Sequence, residues 1–383
     1  MKILFLFEYP STGGSMSTQA ELLFRGLQEH GVQCIPAHYE HRKKEKEWLY
    51  KTFRPDVVLG IGWWVDTPTI ITEPQRYGLQ PVPWLLADGW VANYHSELSS
   101  LPLVFTTSSW VKETYARDGV ETKNFEVLHV SVDPNLFRPI PKSHPGVQEI
   151  RNMFGVAEHE KMILTVGGDV TSKGAQEIIR ALGQIDKQYP NWKYVCKATD
   201  SDRAYNHHQE ELAVMDEAGI DKSKVIYADD DFTHDQFMPY LLNACDIYAA
   251  PSRLEGFGML QLEAMACGAP VISIDAMGPK DTVIHGETGF LAKVGSTVDL
   301  TEEWVNEEMG FEEPFKMEFA KPKTLAYHAD VDDLAKHLLR LLTDDALAKR
   351  MGERGVEHAR KNFHYNVLAK RCVGLLQEKL HIT

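Results

Sequence analysis

Hydrophobic positions along this chain follow two alternating patterns. Short apolar runs typical of buried strands are separated by segments whose apolar residues recur every three to four positions, as on one face of a helix. The first strand is predicted at 1–7, and the helix that follows, at 18–29, ends before Gly31. Further strands are predicted at 32–37, 57–61, 84–87 and 104–107, with a helix at 110–117 behind a Ser108–Ser109 cap. Strands that alternate with helices in this way form parallel sheets.

The alternation stops at a proline-rich span and then begins again. Four prolines between residues 134 and 145 indicate a stiff linker. After it, strands are predicted at 162–166, 194–198 and 271–274, with a helix at 176–188. Helices predicted at 331–342 and from 346 onward end the chain, with a break near Phe363 and Tyr365. We therefore predict two α/β domains, one spanning 1–140 and the other 150–362.

Composition narrows the class of protein. The 383 residues suffice for two domains that each bury a core. With 40 basic and 55 acidic residues, the net charge of −15 argues against a surface that coats nucleic acid. Five scattered cysteines without a C-x-x-C pair are typical of reduced core residues in a cytoplasmic protein. A basic stretch at 42–51 leaves open a weak peripheral membrane contact, although its glutamates favour a solvated helix.

Candidate chemistry is concentrated between residues 251 and 268. Gly256 and Gly258 allow a tight turn, and the apolar spacing after them predicts a buried helix that Gly268 ends. The start of such a helix has free N–H groups and a positive dipole end, which attract phosphate. Glu263 falls on the buried face, where its carboxylate needs hydrogen-bond donors from ligand hydroxyls or from the protein. The alternative is structural: Glu255 caps the helix and Glu263 pairs with a nearby base.

Four segments in a fixed order resemble one enzyme family, the retaining GT-B glycosyltransferases of the GT4 group. They are VSVD (130–133) with FRP (137–139), VGGDVTSKG (166–174), EGFGMLQLE (255–263) and HGETGF (285–290). The resemblance covers nearly the whole chain. It implies an α/β GT-B fold, in which two Rossmann-like domains face an inter-domain cleft and the last helix, 363–383, packs back on the first domain.

The resemblance also implies a function and a set of site residues. It implies a retaining hexosyltransferase that moves a sugar from a nucleoside diphosphate sugar, with UDP or GDP as the nucleotide, to an acceptor hydroxyl. Glu255 would lie by the donor sugar, Glu263 would bind the ribose hydroxyls, and Lys173 would neutralise the diphosphate; Glu255 and Lys173 are the catalytic candidates. The donor-binding set is Gly13, Gly14, Gly168, Lys173, Glu255, Gly256, Phe257, Gly258, Met259, Leu260 and Glu263.

The chain departs from the family pattern in its first domain and at one phosphate contact. Gly168 stands where relatives commonly have an arginine at the diphosphate. Ala87, followed by Asp88, stands where relatives often have a histidine near the donor sugar, and His95 is an alternative for that role. These departures favour one alternative, a catalytically weak sugar-nucleotide-binding protein on the same fold. A sugar-nucleotide epimerase or a glycosyl phosphorylase on that fold also stays open, because both bind related ligands.

Two acidic runs and one insertion complete the expectations. The acids at 200–202 and 229–231 could be mistaken for the metal ligands of GT-A transferases, but acidic loops are usually solvated, and we predict no obligatory metal and no other cofactor. His207 and His208 have no third ligand at a suitable spacing and are interpreted as surface residues. Residues 301–328 mix acids with aromatics, which we interpret as an acidic surface helix and loop packed by its aromatic side.

Overall fold

The computed structural model describes residues 1–11, 13–87, 89–198, 202–228 and 232–382, without the side chains of 202–206. The chain forms two compact units. Unit 1 consists of Met1–Asp133, Asp299–Leu325 and Asn362–Thr383, and unit 2 consists of Pro134–Val298 and Ala326–Lys361. Residues 299–325 and 362–383, which follow the linker in sequence, thus belong to the same unit as the N-terminal segment.

Strands and helices alternate through both units. The strands are β1 Lys2–Phe7, β2 Gln33–His38, β3 Val57–Gly62, β4 Pro81–Leu85, β5 Val104–Thr106, β6 Phe125–Val127, β7 Lys161–Val166, β8 Trp192–Lys197, β9 Val225–Ala228, β10 Ile247–Ala249, β11 Val271–Ile274, β12 Gly289–Ala292, β13 Val294–Val305 and β14 Phe315–Ala329. The helices are α1 Ser15–Glu29, α2 Lys43–Thr52, α3 Glu73–Arg76, α4 His95–Ser99, α5 Ser109–Arg117, α6 Pro145–Met153, α7 Ala175–Ile185, α8 Asp202–Ala218, α9 Met238–Ala244, α10 Met259–Ala266, α11 Pro279–Thr282, α12 Val331–Thr343, α13 Asp345–Asn362 and α14 Tyr365–Leu380.

Each unit is built on a parallel six-stranded sheet. The strand order is β2-β1-β3-β4-β5-β6 in unit 1 and β12-β11-β10-β7-β8-β9 in unit 2. Strand β3 is buried at every position, and β1 at every position except its first. Continuous apolar runs of this kind are typical of parallel strands covered by helices on both faces. The prediction of two α/β units with parallel sheets is confirmed.

Local signals in the sequence predict the bounds of several elements to within one residue. Strand β11 has the predicted bounds, and β1, β3 and β7 differ from theirs by one residue at one end. The Ser108 hydroxyl accepts a hydrogen bond from the amide of Val111 at 3.2 Å, which confirms the predicted cap of α5. Gly268 has φ +89 directly after α10, the left-handed conformation that ends helices.

The predicted acidic helix at 301–328 is wrong. These residues lie largely in β13 and β14, which form a two-stranded sheet that we call the hairpin, residues 294–329. The sequence FKMEF at 315–319 alternates apolar and charged residues with a period of two, which is the pattern of a strand. Its high acidic content hid that alternation.

The aromatic side of the hairpin packs within unit 1, as predicted. Phe319 contacts Trp90 edge to face, with ring centroids 5.4 Å apart. Lys323 forms an ion pair with the buried carboxylate of Asp118 at 3.1 Å. The side-chain amide of Asn93 donates to the carbonyl oxygens of Met309 and Gly310, both at 3.1 Å. Apolar, ionic and hydrogen-bonded contacts therefore all fix this segment.

The last helix completes the core of unit 1. Helix α14 packs on α1, and a Cβ at Gly26 would lie 2.6 Å from the Cβ of Ala369. Only a glycine at position 26 permits so close an approach of the two helices.

The five cysteines are all buried and free, as predicted. Burial raises the pKa of Cys245 and of Cys372 to about 12.

In the described part of the chain, no helix has the length and apolar content needed to cross a bilayer.

Candidate functional site

Two loops of unit 2 meet at the carboxyl ends of neighbouring strands. Strands β7 and β10 pair directly, so the loops that follow them, 167–174 and 250–258, leave the same edge of the sheet. The amide of Arg253 donates to the carbonyl oxygen of Ser172 at 2.9 Å. A Cβ at Gly174 would lie 2.6 Å from the carbonyl oxygen of Pro251, so the glycine allows the second contact between the loops.

The two catalytic candidates, Lys173 and Glu255, are brought together by these loops. The Lys173 ammonium lies 2.7 Å from Oε2 of Glu255, and the two side chains are 25% and 18% exposed. The lysine stem crosses Gly167, where a Cβ would lie 2.7 Å from Cγ of Lys173. Gly167 therefore makes room for the lysine. The pair lies at the edge of the sheet and is partly exposed to solvent.

Helix α10 begins beside this pair. Gly258 precedes the helix with φ +103, and its amide donates to Oε1 of Glu255 at 3.1 Å. Glu255 thus binds the backbone before the helix with one oxygen and Lys173 with the other. The first amides of a helix, here those of Met259 to Gln261, have no acceptor within the helix. Facing a ligand, they would add positive charge to that of Lys173.

A tight turn holds the glycine loop against the next strand connection. A Cβ at Gly278 would lie 2.2 Å from the carbonyl oxygen of Gly256. The amide of Gly278 donates to the carbonyl oxygen of Glu255 at 3.1 Å. The loop therefore rests directly on the backbone of residue 278, and any larger side chain there would displace it.

Glu263 is buried one turn inside α10, with its side chain 3% exposed. Its Oε1 lies 2.9 Å from Nε2 of His234, so the base expected in the structural alternative is present. Burial raises the pKa of Glu263 despite the opposing effect of His234. Burial alone would lower the pKa of His234, but the hydrogen bond and charge of Glu263 outweigh it and the pKa of His234 is raised. Both shifts favour a proton held between the two groups.

Helix α8 contributes polar contacts that the sequence did not reveal. Nδ1 of His207 lies 2.9 Å from Oδ2 of Asp169, in the loop that also carries Lys173. Glu211, one turn later, accepts hydrogen bonds from the hydroxyls of Thr171 and Tyr227, both at 2.5 Å. The interpretation of His207 as a surface residue is therefore wrong. The i, i+4 spacing of His207 and Glu211 was the available signal, since it places both on one face of a helix.

Comparisons with known proteins agree with this geometry. Residues 146–317 match the family model of the glycosyl transferases group 1. Over 325 residues the chain is 27% identical to a D-inositol 3-phosphate glycosyltransferase of Corynebacterium glutamicum, which covers 73% of this chain and 65% of that relative. These matches support a GT4-type glycosyltransferase. A second relative of the same name, from Corynebacterium efficiens, is 29% identical over 62% of this chain and 47% of its own length. The chain thus spans about half to two thirds of the length of these curated relatives.

Similarity to solved structures of known proteins shows that the chain has a GT-B fold. A sucrose-phosphate synthase from Thermosynechococcus elongatus superposes with a TM-score of 0.74 at 17% identity, over the whole of both chains. The Anabaena protein HepE, solved with UDP and glucose, gives a TM-score of 0.71 at 17% identity and covers 99% of this chain and all of its own.

The other predicted site residues lie as follows. Gly168 is exposed in the loop after β7. Gly13, with φ +87, and Gly14, which precedes α1, belong to unit 1. His95 is the first residue of α4, also in unit 1, whereas Asp88 lies outside the described residues. The roles assigned to these residues stay predictions.

The acidic runs at 200–202 and 229–231 also fall outside the described residues or side chains. Among the side chains that the structure does describe, no three His, Cys, Asp or Glu groups are placed to hold a metal ion.

Proposed function

We propose that this protein is a GT4-type retaining hexosyltransferase that uses a nucleoside diphosphate sugar and an acceptor hydroxyl. One observation carries the proposal: Lys173, Glu255 and the start of α10 converge at one edge of the sheet in unit 2. This edge combines a cation, free amides and a carboxylate. These groups suit a diphosphate and an adjoining sugar.

The leaving group determines what the cation does. When the bond from the anomeric carbon to the diphosphate breaks, negative charge develops on the phosphate oxygen. The Lys173 ammonium and the α10 amides stabilise that charge, because they are already oriented towards it. The Lys173 ammonium forms an ion pair with Glu255 at 2.7 Å. When the diphosphate binds, the ammonium must therefore either leave Glu255 or contact Glu255 and the diphosphate together.

The similarity to the glycosyl transferases group 1 supports retention of configuration. In this mechanism the acceptor hydroxyl attacks the anomeric carbon on the face from which the diphosphate departs. The new carbon–oxygen bond forms as the old one breaks, and a phosphate oxygen takes the hydroxyl proton. Glu255 lies by the donor sugar and Glu263 binds the ribose hydroxyls.

We propose a uridine or guanosine nucleotide and no obligatory metal. The neighbour solved with UDP and glucose favours the uridine nucleotide. Lys173 and the helix start supply the positive charge that a divalent ion would otherwise bring to the diphosphate. Activity should therefore survive EDTA, and full loss in EDTA with recovery by Mg²⁺ or Mn²⁺ would contradict this part of the proposal.

Thermal-shift screening against UDP, GDP and ADP and their sugars identifies the donor. Two variants then test the site: Glu263→Ala should weaken binding of the nucleotide sugar, whereas Glu255→Ala should reduce turnover more than binding. Unchanged affinity and full rate in both variants would refute the site.

The exposed Gly168, with no cation on its own position, favours one other function, that of a binding protein with weak catalysis. Calorimetry combined with product analysis distinguishes the two. A binding protein takes up the donor without transferring or hydrolysing it. An epimerase on the same fold would convert the donor sugar in the absence of any acceptor.

A further inference from the structure

The two oxygens of the Glu263 carboxylate have different surroundings. Oε1 is bonded to Nε2 of His234 at 2.9 Å. Oε2 is fully buried and has no hydrogen-bond partner among the described residues. The side chain as a whole is 3% exposed. A buried carboxylate oxygen without a donor is unfavourable, and a hydroxyl donor from a ligand would satisfy it.

His234 can reach Glu263 and the solvent at once. Its side chain is 27% exposed, and its ring packs against Phe137 with centroids 5.2 Å apart. Its backbone lies between β9 and α9, in the loop that follows a strand on the carboxyl edge of the unit 2 sheet. The partly exposed His234 therefore contacts one oxygen of the Glu263 carboxylate, which is itself buried at its position in α10.

We propose that His234 is a positioning residue for the ribose of the nucleotide. It donates from Nε2 to Oε1 of Glu263, fixes the rotation of the carboxylate, and so keeps Oε2 available to accept one ribose hydroxyl. This inference rests on the proposed function, because it assumes that a nucleotide binds beside α10. Without His234 the carboxylate turns to satisfy itself elsewhere, and the ribose hydroxyl loses its fixed acceptor.

A coupling experiment tests this role. Calorimetry would measure the affinity of UDP, 2′-deoxy-UDP and 3′-deoxy-UDP, or of the corresponding GDP series if GDP is the nucleotide that binds. In the wild type, removal of the bonded hydroxyl should weaken binding about tenfold to hundredfold, as for hydrogen bonds to charged groups. In His234→Ala the same removal should change affinity by less than about threefold, because the acceptor is no longer held in place.

Two conservative variants separate positioning from general damage. His234→Gln presents an amide N–H at a reach similar to that of Nε2 and should restore the hydroxyl dependence, whereas the shorter His234→Asn should behave like alanine. His159→Gln, at an exposed position of unit 2, is the matched control and should match the wild type. If His234→Ala does not fold, the comparison of glutamine with asparagine carries the test alone.

The outcomes separate this inference from the function on which it rests. A wild type that binds no nucleotide refutes the proposed function. A wild type that binds nucleotide but does not distinguish the deoxy analogues overturns the inference, as does a His234→Ala variant with the full wild-type discrimination. In both of those cases the proposed sugar transfer stands.

Discussion

The ion pair between Lys173 and Glu255 makes a counterintuitive prediction: Glu255→Gln should bind the nucleoside diphosphate more tightly than the wild type. The ammonium lies 2.7 Å from Oε2 of Glu255, while Oε1 accepts the amide of Gly258. Glutamine can keep the second contact through its carbonyl oxygen. It removes the charge that competes with the diphosphate for Lys173.

The size of the effect follows from the burial of the pair. Hydrogen bonds to charged groups contribute about 1.5–3 kcal/mol, and exposed ion pairs about 0–1 kcal/mol. With side chains 25% and 18% exposed, this pair lies between the two classes. We take its contribution as about 1–2 kcal/mol, which corresponds to about 5- to 30-fold in affinity, since 1.4 kcal/mol is tenfold.

Calorimetry with UDP or GDP measures the change, and turnover of the nucleotide sugar should fall in the same variant because the donor sugar loses Glu255. Lys173→Met should weaken binding. Glu287→Gln is the matched control, because Glu287 is an exposed acid of unit 2 that lies 3.6 Å from Arg354. If the Glu255→Gln variant folds normally but binds the nucleotide no more tightly than the wild type does, the idea that Glu255 competes with the diphosphate for Lys173 is refuted.

Three further predictions concern stability. Gly278→Ala should destabilise the protein by about 1–3 kcal/mol through overpacking, because the new Cβ would lie 2.2 Å from a carbonyl oxygen. Gly374→Ala, in open space within α14, should stabilise the protein by about 0.5–1 kcal/mol. Urea unfolding measures both changes. Lys323→Met keeps the apolar stem but removes the ion pair between the hairpin and Asp118, so amide exchange of the hairpin should accelerate. Burial raises the pKa of Glu211 in the folded protein. The wild type therefore loses stability as the pH rises above about 4, the ordinary pKa of a glutamate, because the buried carboxyl must then give up its proton. Glutamine has no such proton, so the melting temperature of Glu211→Gln relative to the wild type should increase from pH 4 to pH 8.

Each of these predictions has a result that contradicts it. Equal unfolding free energies for the two glycine variants would mean that the loop at residue 278 yields without cost. Unchanged exchange rates in the hairpin would assign its docking to the aromatic and hydrogen-bonded contacts. A melting-temperature difference for Glu211→Gln that stays constant with pH would show that the buried carboxylate does not change its charge on unfolding.

Regular elements of this fold could be predicted because local patterns determine them. Strand β11 is a short apolar run between a proline and a polar turn, and α10 is bounded by glycines at both ends. The hairpin could not be predicted from its acidity, because charge density does not distinguish a helix from a strand. The alternation of apolar and charged residues at 315–319 does distinguish them, because a period of two is the pattern of a strand.

Contacts of the site depend on sheet order, which the sequence does not state. Lys173 and Glu255 are 82 residues apart and meet because β7 and β10 are neighbours. Each residue could be predicted as a site residue from its own glycine-rich segment, but the hydrogen bond between the two side chains could not be predicted. His234 was missed for the same reason, since it is one of 16 histidines and its meeting with Glu263 depends on how the loop after β9 lies over α10.

The composition of unit 1 from three separate segments has a consequence for synthesis on the ribosome. The N-terminal sheet emerges early, yet the surface of α1 around Gly26 has its covering helix only when residues 365–380 have been translated. Unit 2 is complete by residue 361, so it can finish folding before the unit that begins the chain. Premature termination before α14 would leave that surface of α1 uncovered.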